Sequence, residues 1–522
     1  MTSPWLTIIG VVPLVGALLI TLLPQGKDLL VKQVALLTTL VVLALTVVMC
    51  LDFSTADGAP RFQFAQSHDW IKAFGVKYAV GADGIALVLI ALIAVLVPVV
   101  LLSSWDDVES LTVEGPDAPA SGGGKSVKTF FALLLVLETM MIGVFAATDV
   151  FLFYVFFEAM LIPMYFLIGQ YGGPKRSYAA VKFLLFSLFG GLLMLAAVIG
   201  LYVQSTYVGD GTFSFQALAD LNMSHQAQGW LFAGFFLAFA IKAPLFPFHT
   251  WLPDAGAEAP TGSAILLVGI LDKVGTFGFL RYCLPLFPWA AREFAPYVIA
   301  LSVIGVIYGA LLAMGQKDMK RLVSYTSVAH FGFIGMGCFA FTTQAGTGAV
   351  FYMVNHGLST GALFMVLGFL IQRGKSRLVT DYSGMAKVVP VLAALFFVSG
   401  LSALALPGLS TFLSEFLVLV GTFTQYKAYA IIATTGIILA ALYILLAYQR
   451  TMQGAVSAAH ETMKDLNVRE VAALAPLIAL MLFFGFYPKP LIDIINPAVA
   501  ATMHDVGATD PLPTDVHASG SK

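Results

Sequence analysis

Residues 228–248 read QGWLFAGFFLAFAIKAPLFPF, an apolar stretch long enough to cross a bilayer that nevertheless contains Lys242. A helix rises about 1.5 Å per residue, so about 20 apolar residues span the roughly 30 Å of hydrocarbon. Pro244 and Pro247 follow the lysine, and each removes a backbone donor and clashes with the preceding turn. The stretch therefore predicts a membrane-spanning helix that is broken beside a buried charge.

The rest of the chain repeats this apolar pattern. Of its 522 residues, 59% are hydrophobic and 11% are charged, whereas soluble domains carry about 25% charged residues. Repeated apolar runs of about 20 residues predict an all-α polytopic membrane protein. They exclude a soluble enzyme, and also a β-barrel, which would show alternating segments of about 10 residues. A formal net charge of −2 without a basic face argues against binding of nucleic acid.

The apolar runs divide the chain into about 14 predicted spans. Their limits are 4–23, 29–51, 83–104, 129–147, 150–170, 178–204, 228–248, 261–284, 294–314, 321–341, 346–372, 389–424, 429–451 and 471–488. The stretch 105–128 and the tail after Asn496 are expected to be loops. Most of the 27 Lys and Arg residues fall in the loops that follow odd-numbered spans. The positive-inside rule then places those loops in the cytoplasm and both termini outside.

A second span is interrupted in the same way as the first. LSALALPGLSTFLSEF (401–416) places Pro407 and Gly408 inside predicted helix 12, five helices after the break in helix 7. Units separated by five helices run in opposite directions through the membrane, and paired broken helices of this kind indicate the central pathway of a transporter. The predicted parts of the chain are an N-terminal part (1–128), a first inverted five-helix repeat (129–284), a second one (294–451) and a C-terminal part (471–522).

Ionisable residues recur inside the apolar runs at one depth. We call this set the buried row: Glu158, Lys242, Lys273, His330, His356 and Glu415. Helix rise places each of them about 13–21 Å from a predicted helix end, near the midplane of the bilayer. A charge at this depth costs at least about 2.5–3.5 kcal/mol, so several together predict a lateral path for protons or ions.

Some of these buried ionisable residues also have a structural interpretation. Glu158 and Lys242 could form an ion pair that fixes helix packing, although an apolar pair usually packs at least as well. His330 and His356 could be hydrogen-bonded core residues, although histidine is well suited to relay protons near neutral pH. Glu138, in predicted helix 4, is either a second acidic partner or a hydrogen-bond acceptor between helices.

Three segments resemble one known family. They are FLFYVFFEAMLIPMYFLIGQYGG (151–173), AFAIKAPLFPFHTWLPDAGAEAPTGSAILLVGILDKVGTFGFLR (238–281) and YTSVAHFGFIGMG (325–337). All three are similar to the antiporter-like membrane subunits of respiratory complex I, and the likeness runs from about Phe130 to Gln449. The family has 14 transmembrane helices, two inverted five-helix repeats and broken helices 7 and 12. Within it, helix 5 and the acidic group of helix 12 are most similar to the bacterial M-type subunit.

The resemblance also implies roles for the buried row. Glu158 and Lys242 correspond to the pair on helices 5 and 7, and Lys273 to the central lysine of helix 8. The two histidines fall at connecting positions, and Glu415 is the terminal group toward the periplasm. The resemblance assigns no role to Asp272, directly before the central lysine.

The resemblance implies a proton-translocating module of an NADH:quinone oxidoreductase in a bacterial cell membrane. NADH, FMN, iron–sulfur clusters and quinone are then expected in other subunits, since nothing in this chain offers to bind them. The isolated Cys50, Cys283 and Cys338 support neither a disulfide framework nor a metal site. Expected partners are the other membrane-arm subunits, including the L- and N-type relatives, and the lipid bilayer. The alternative is a subunit of a multisubunit cation/proton antiporter, which shares the fold and the Glu–Lys pair.

Overall fold

The computed structural model describes residues 4–56, 58–110 and 126–510. Its helices up to the first predicted break are α1 (Trp5–Leu22), α2 (Asp28–Asp52), α3 (Gly84–Ser103), α4 (Asp107–Ser110), α5 (Val127–Ala146), α6 (Val150–Ala159), α7 (Leu161–Tyr171), α8 (Arg176–Thr206), α9 (Phe215–Ala219) and α10 (His225–Lys242). The helices after it are α11 (Leu252–Glu258), α12 (Thr261–Leu266), α13 (Lys273–Gly278), α14 (Leu284–Leu286), α15 (Pro288–Met314), α16 (Met319–Phe339), α17 (Thr343–Gly374), α18 (Pro390–Ala403), α19 (Ser410–Gln425), α20 (Lys427–Met452), α21 (Val468–Phe486) and α22 (Lys489–Asp505).

Twelve helical stretches in the described part of the chain are long and apolar enough to cross a membrane. The polytopic, helical fold class is thereby confirmed. Predicted helices 7 and 12 are not among the twelve, and both are interrupted, between α10 and α11 and between α18 and α19. The count of about 14 spans, the inverted repeats and the boundaries of the predicted parts stay predictions.

The helices that carry Lys273, His330 and His356 lie at the centre of the protein. π-helical turns at Leu267–Leu271 and Phe279–Cys283 join α12, α13 and α14 into one helix, Thr261–Leu286, and all 18 residues of its apolar stretch are buried. In the apolar stretches of α1 and α2, only 33% and 28% of the residues are buried, and side chains such as Leu22 are exposed. The outer helices thus offer an apolar surface suited to lipid, while the central ones are enclosed by protein.

A β-hairpin lies between α2 and α3, in the polar stretch that separates the second and third predicted spans. Strand β1 (Gln63–Ile71) pairs antiparallel with β2 (Val76–Ala82). The hairpin covers the connection between α5 and α6, because the Lys77 amide donates to the Asp149 carboxylate at 3.1 Å. It therefore closes one end of the helix that carries Glu158.

The expectation for the C-terminal tail was wrong. Residues after Asn496 were expected to form a loop, but α22 continues to Asp505 and packs against α3 and α17. Its buried side chains, Ile495, Val499 and Met503 among them, recur at helical spacing, which accounts for the helix. Of the loop expected at 105–128, residues 111–125 lie outside the described part of the chain.

Candidate functional site

The first pair of the buried row lies between α6 and α10. Glu158 is in the last turn of α6, and Lys242 is the last residue of α10. Each charge acts on the other, but their oxygen and nitrogen atoms are farther apart than the 4.0 Å of a direct ion pair. An ion pair that fixes helix packing needs direct contact, so this separation favours a pair whose coupling can change.

The Lys242 ammonium is held loosely. Its Nζ has no hydrogen-bond partner among the described residues and lies 5.1 Å from the ring centre of Phe157 and 5.6 Å from that of Phe183. Aromatic faces attract a buried cation by about 2 kcal/mol or more when it is desolvated. The helix breaks directly after the lysine. Across this break, the Trp251 indole donates to the Ile241 carbonyl at 2.8 Å and stabilises the backbone there. The backbone beside Lys242 is therefore fixed, while its ammonium has no hydrogen-bond partner among the described residues.

Gly191 of α8 leaves room for the Glu158 carboxylate. A Cβ atom built at Gly191 would lie 1.6 Å from Oε1 of Glu158. The carboxylate therefore occupies the space that a side chain at position 191 would fill. Any larger residue there would force the Glu158 carboxylate to move.

Lys273 and His356 are in direct contact. Nζ of Lys273 lies 2.6 Å from Nδ1 of His356 and also donates to the Val268 carbonyl in the π-helical turn. The ammonium lies 5.3 Å from the ring centre of Phe331. Lysine and imidazole at hydrogen-bond distance can pass a proton without a further carrier. The structure thus brings together two residues that are distant in the sequence.

His330 lies next to His356 and extends the row toward helix 12. The two imidazole rings are 5.2 Å apart between centres, and the Tyr352 ring is 5.8 Å from that of His330. Nε2 of His330 is 3.3 Å from the Tyr443 hydroxyl. Both histidines are buried, and Nε2 of His356 has no partner among the described residues. An imidazole with an unused ring nitrogen is better suited to proton relay than one whose hydrogen bonds are all made.

Glu415 lies at the far end, in the second turn of α19. Its Oε2 accepts a hydrogen bond from the Tyr352 hydroxyl at 3.1 Å, while Oε1 has no partner in the described structure. The Asn355 amide donates to the Ser410 carbonyl at 2.9 Å and to the Ser414 hydroxyl at 2.8 Å, which fixes the start of α19 after the break. The broken helix therefore presents Glu415 to the polar side chains of α17.

Two tyrosines belong to this site although sequence reasoning missed them. Tyr352 and Tyr443 are fully buried, and their hydroxyls contact Glu415 and His330. The available signal was spacing, because Tyr352 precedes His356 by four residues and so shares its helix face. Together they shorten the gap between the histidines and the terminal carboxylate.

Glu138 stands apart from the buried row. It is fully buried on α5, and neither carboxylate oxygen has a partner among the described residues. Among the described residues, no contact connects Glu138 with a member of the buried row. The acceptor role between helices is therefore not seen, and a role as an acidic partner stays a hypothesis.

A cluster of charges joins three helices at the side predicted to be cytoplasmic. Asp254 of α11 binds Lys182 of α8 at 2.7 Å and also pairs with Arg321 of α16. Burial alone would raise the pKa of Asp254, but the hydrogen bonds from both cations outweigh it and hold this pKa below its ordinary value. The cluster ties the segment after the helix-7 break to its neighbours.

Replacing Tyr352 with phenylalanine is expected to lower proton pumping about tenfold. The change leaves the Glu415 carboxylate without a hydrogen bond, which costs about 1–3 kcal/mol, and a tenfold change in rate corresponds to about 1.4 kcal/mol. Pumping in vesicles, normalised to assembled complex, measures the effect. Tyr282→Phe is the matched control, since among the described residues this buried hydroxyl donates only to the Ala147 carbonyl, at 3.3 Å. Equal pumping by both variants would remove Tyr352 from the pathway.

Comparison with known proteins identifies the family. Residues 147–441 match the family model described as "NADH:quinone oxidoreductase/Mrp antiporter, TM". The chain belongs to this family. The membership expected from the sequence motifs is thereby confirmed, and the matched residues include Glu158, Lys242, Lys273, His330, His356 and Glu415.

Several members of the family are similar over nearly the whole chain. NADH-quinone oxidoreductase subunit M of Mycobacterium tuberculosis is 49% identical over 98% of this chain and 96% of its own length. The subunit M of Rhodobacter capsulatus is 38% identical over 95% of both chains. A chain of respiratory complex I from Thermus thermophilus with bound NADH has a TM-score of 0.85 at 31% identity, covering 96% of this chain and 100% of that one.

A more distant structure shares the fold alone. A chain of the Mrp complex from Dietzia sp. DQ12-45-1b has a TM-score of 0.78 at 22% identity. The match covers 95% of this chain and 52% of that one. This family fold therefore occurs in an antiporter complex as well as in complex I.

Proposed function

We propose that this chain is the M-type, proton-translocating membrane-arm subunit of a bacterial NADH:quinone oxidoreductase. The near-full-length identity of 49% to a subunit M supports the assignment, and so does the match to a complex I chain. The observation that carries the proton role is the continuous set of contacts from Lys273 through the two histidines and Tyr352 to Glu415. These groups can all take up or release protons, and they lie in a family whose members include proton-pumping subunits.

In the proposed pathway, the charge of Glu158 keeps the Lys242 ammonium protonated. A change in that coupling releases the proton toward Lys273, and His356 and His330 carry it toward Glu415. Glu415 then gives it up on the outer side of the membrane. The NADH, FMN, iron–sulfur clusters and quinone of the reaction belong to other subunits in this proposal.

The proposed surroundings follow from the same assignment. The chain spans the bacterial plasma membrane several times, with both termini outside the cytoplasm, and packs against L- and N-type subunits in the membrane arm. The paired breaks of helices 7 and 12 support two inverted repeats, 129–284 and 294–451. Among the described residues, no group of three His, Cys, Asp or Glu side chains is arranged to hold a metal ion.

The second candidate is a subunit of a multisubunit cation/proton antiporter. The fold shared with the Mrp complex favours it, but that match is 22% identical against 49% for the subunit M. The two candidates predict different companions. An affinity-tagged chain, purified in mild detergent, is expected to carry flavin and iron–sulfur absorbance and to oxidise NADH with quinone. Copurification with small antiporter subunits, without NADH oxidation, would establish the alternative instead.

A further inference from the structure

A buried acid beside the central lysine has no part in the pathway so far. Asp272 is 0% exposed, and neither of its carboxylate oxygens has a hydrogen-bond partner among the described residues. It precedes α13 directly, yet its side chain does not cap that helix. A buried charge without hydrogen bonds destabilises a protein, so packing or capping does not explain this residue.

The packing of α13 on α10 indicates which way Asp272 faces. A Cβ atom at Gly275 would meet the Ala243 amide nitrogen and the Phe239 carbonyl oxygen at 2.5 Å each. Gly275 is therefore the point at which the two backbones touch. Residues three apart share a helix face, so Asp272 lies on the face turned toward α10, which ends at Lys242.

Lys273 is turned in another direction. Adjacent residues point about 100° apart around a helix, and the Lys273 ammonium reaches His356 on α17. The Asp272 carboxylate nevertheless interacts electrostatically with both Lys273 and Lys242. It forms a direct ion pair with neither, since neither lysine nitrogen lies within 4.0 Å of its oxygens. Proton transfer across a separation above 4.0 Å requires an intervening water molecule.

We propose that Asp272 is the proton carrier between Lys242 and Lys273, and thus joins the two halves of the buried row. This inference rests on the function proposed above and adds one group to its path. The Lys242 ammonium gives a proton to the carboxylate, and the resulting carboxylic acid gives it to the neutral Lys273 amine. The carboxylate is restored, so each transfer moves one proton and leaves Asp272 unchanged.

Three variants in assembled complex test the carrier role. Asp272→Asn keeps the shape but cannot titrate, so the number of protons pumped per NADH is expected to fall at least about tenfold. Asp272→Glu keeps a titratable group and is expected to retain a substantial part of the pumping. Thr276→Val is the matched control, because its buried hydroxyl, on the same helix, donates to the Lys273 carbonyl at 3.1 Å and to no other group in the described part of the chain.

A structural role for Asp272 predicts a different order. Since the carboxylate makes no hydrogen bond, asparagine would then pump as well as aspartate and assemble at least as well. Normal proton yield from Asp272→Asn would overturn the proposal, and so would equal losses in Asp272→Asn and Asp272→Glu. If Asp272→Asn failed to assemble while Asp272→Glu assembled, the charge would be structural, which also overturns it.

The same vesicles separate this inference from the proposed function. Glu158→Gln is measured beside the Asp272 variants. Loss of pumping in Glu158→Gln with normal pumping in Asp272→Asn would remove only the Asp272 carrier. Normal pumping in Glu158→Gln would remove the pathway on which the carrier depends.

Discussion

Replacing Glu158 with glutamine is expected to abolish most NADH-driven proton pumping while the complex assembles normally. Two unit charges about 4 Å apart would interact by about 4 kcal/mol at an effective dielectric constant of about 20, and Glu158 and Lys242, being farther apart, interact by less. The aromatic faces around Lys242 attract its cation but cannot gain or lose a charge, so they cannot replace the carboxylate as a controlling partner. Without that charge the ammonium loses the partner that controls its proton, and pumping should fall at least about tenfold.

Three companion variants separate charge from packing at this site. Glu158→Asp keeps the charge and should retain part of the activity. Gly191→Ala keeps the carboxylate but moves it, because the added Cβ would lie 1.6 Å from its oxygen, so activity should fall, though less than in Glu158→Gln. Met164→Leu changes a buried side chain of α7 at similar volume and should pump normally. Near-normal pumping in a correctly assembled Glu158→Gln complex would refute the proposed role of the pair.

The second large effect is expected at Glu415. If this carboxyl is the outlet, it must accept and release a proton, so Glu415→Asp should keep partial activity. Glu415→Gln and Glu415→Ala cannot titrate and should lose at least about nine-tenths of the pumping. Proton pumping in vesicles, normalised to assembled complex, gives the order of the three variants.

The Tyr352 contact makes this comparison decisive. Glutamine has an oxygen at the same reach as Glu415 and can still accept the 3.1 Å hydrogen bond from the tyrosine, whereas the shorter aspartate is one methylene farther away. A purely structural Glu415 therefore predicts that glutamine outperforms aspartate. That order, with assembly intact, would exclude Glu415 from the pathway.

The charged members of the buried row could be found in the sequence because of their energetic cost. Four charged residues interrupt the apolar runs: Glu158, Lys242, Lys273 and Glu415. Each raises the free energy of membrane insertion by at least about 2.5–3.5 kcal/mol, so a functional role is the usual explanation for its presence. Tyr352 carries no such signal, since a tyrosine in an apolar helix is ordinary. The apolar runs therefore revealed the buried acids and bases but not the Tyr352 hydroxyl that contacts Glu415.

The distances and directions between the buried charged side chains could not be predicted from the sequence, because they depend on how the helices pack. The separation of Glu158 and Lys242 depends on how α6, α8 and α10 are rotated, which Gly191 helps to set by leaving space for the carboxylate. The direction of Asp272 depends on one backbone contact at Gly275. In the fold, α22 was missed because a run with Asp493 and Asn496 lacks the apolar length by which spans are recognised.

The π-helical turn at Leu267–Leu271 changes the surroundings of Lys273. In water, a lysine is surrounded by mobile dipoles that must reorient whenever its charge changes. Here the Val268 carbonyl of that turn and the His356 imidazole take their place, and neither is free to tumble. Preorganised dipoles require little reorganisation energy when a charge appears or leaves. In the proposed pathway, these fixed dipoles lower the reorganisation energy of the step in which Lys273 gains or loses its proton.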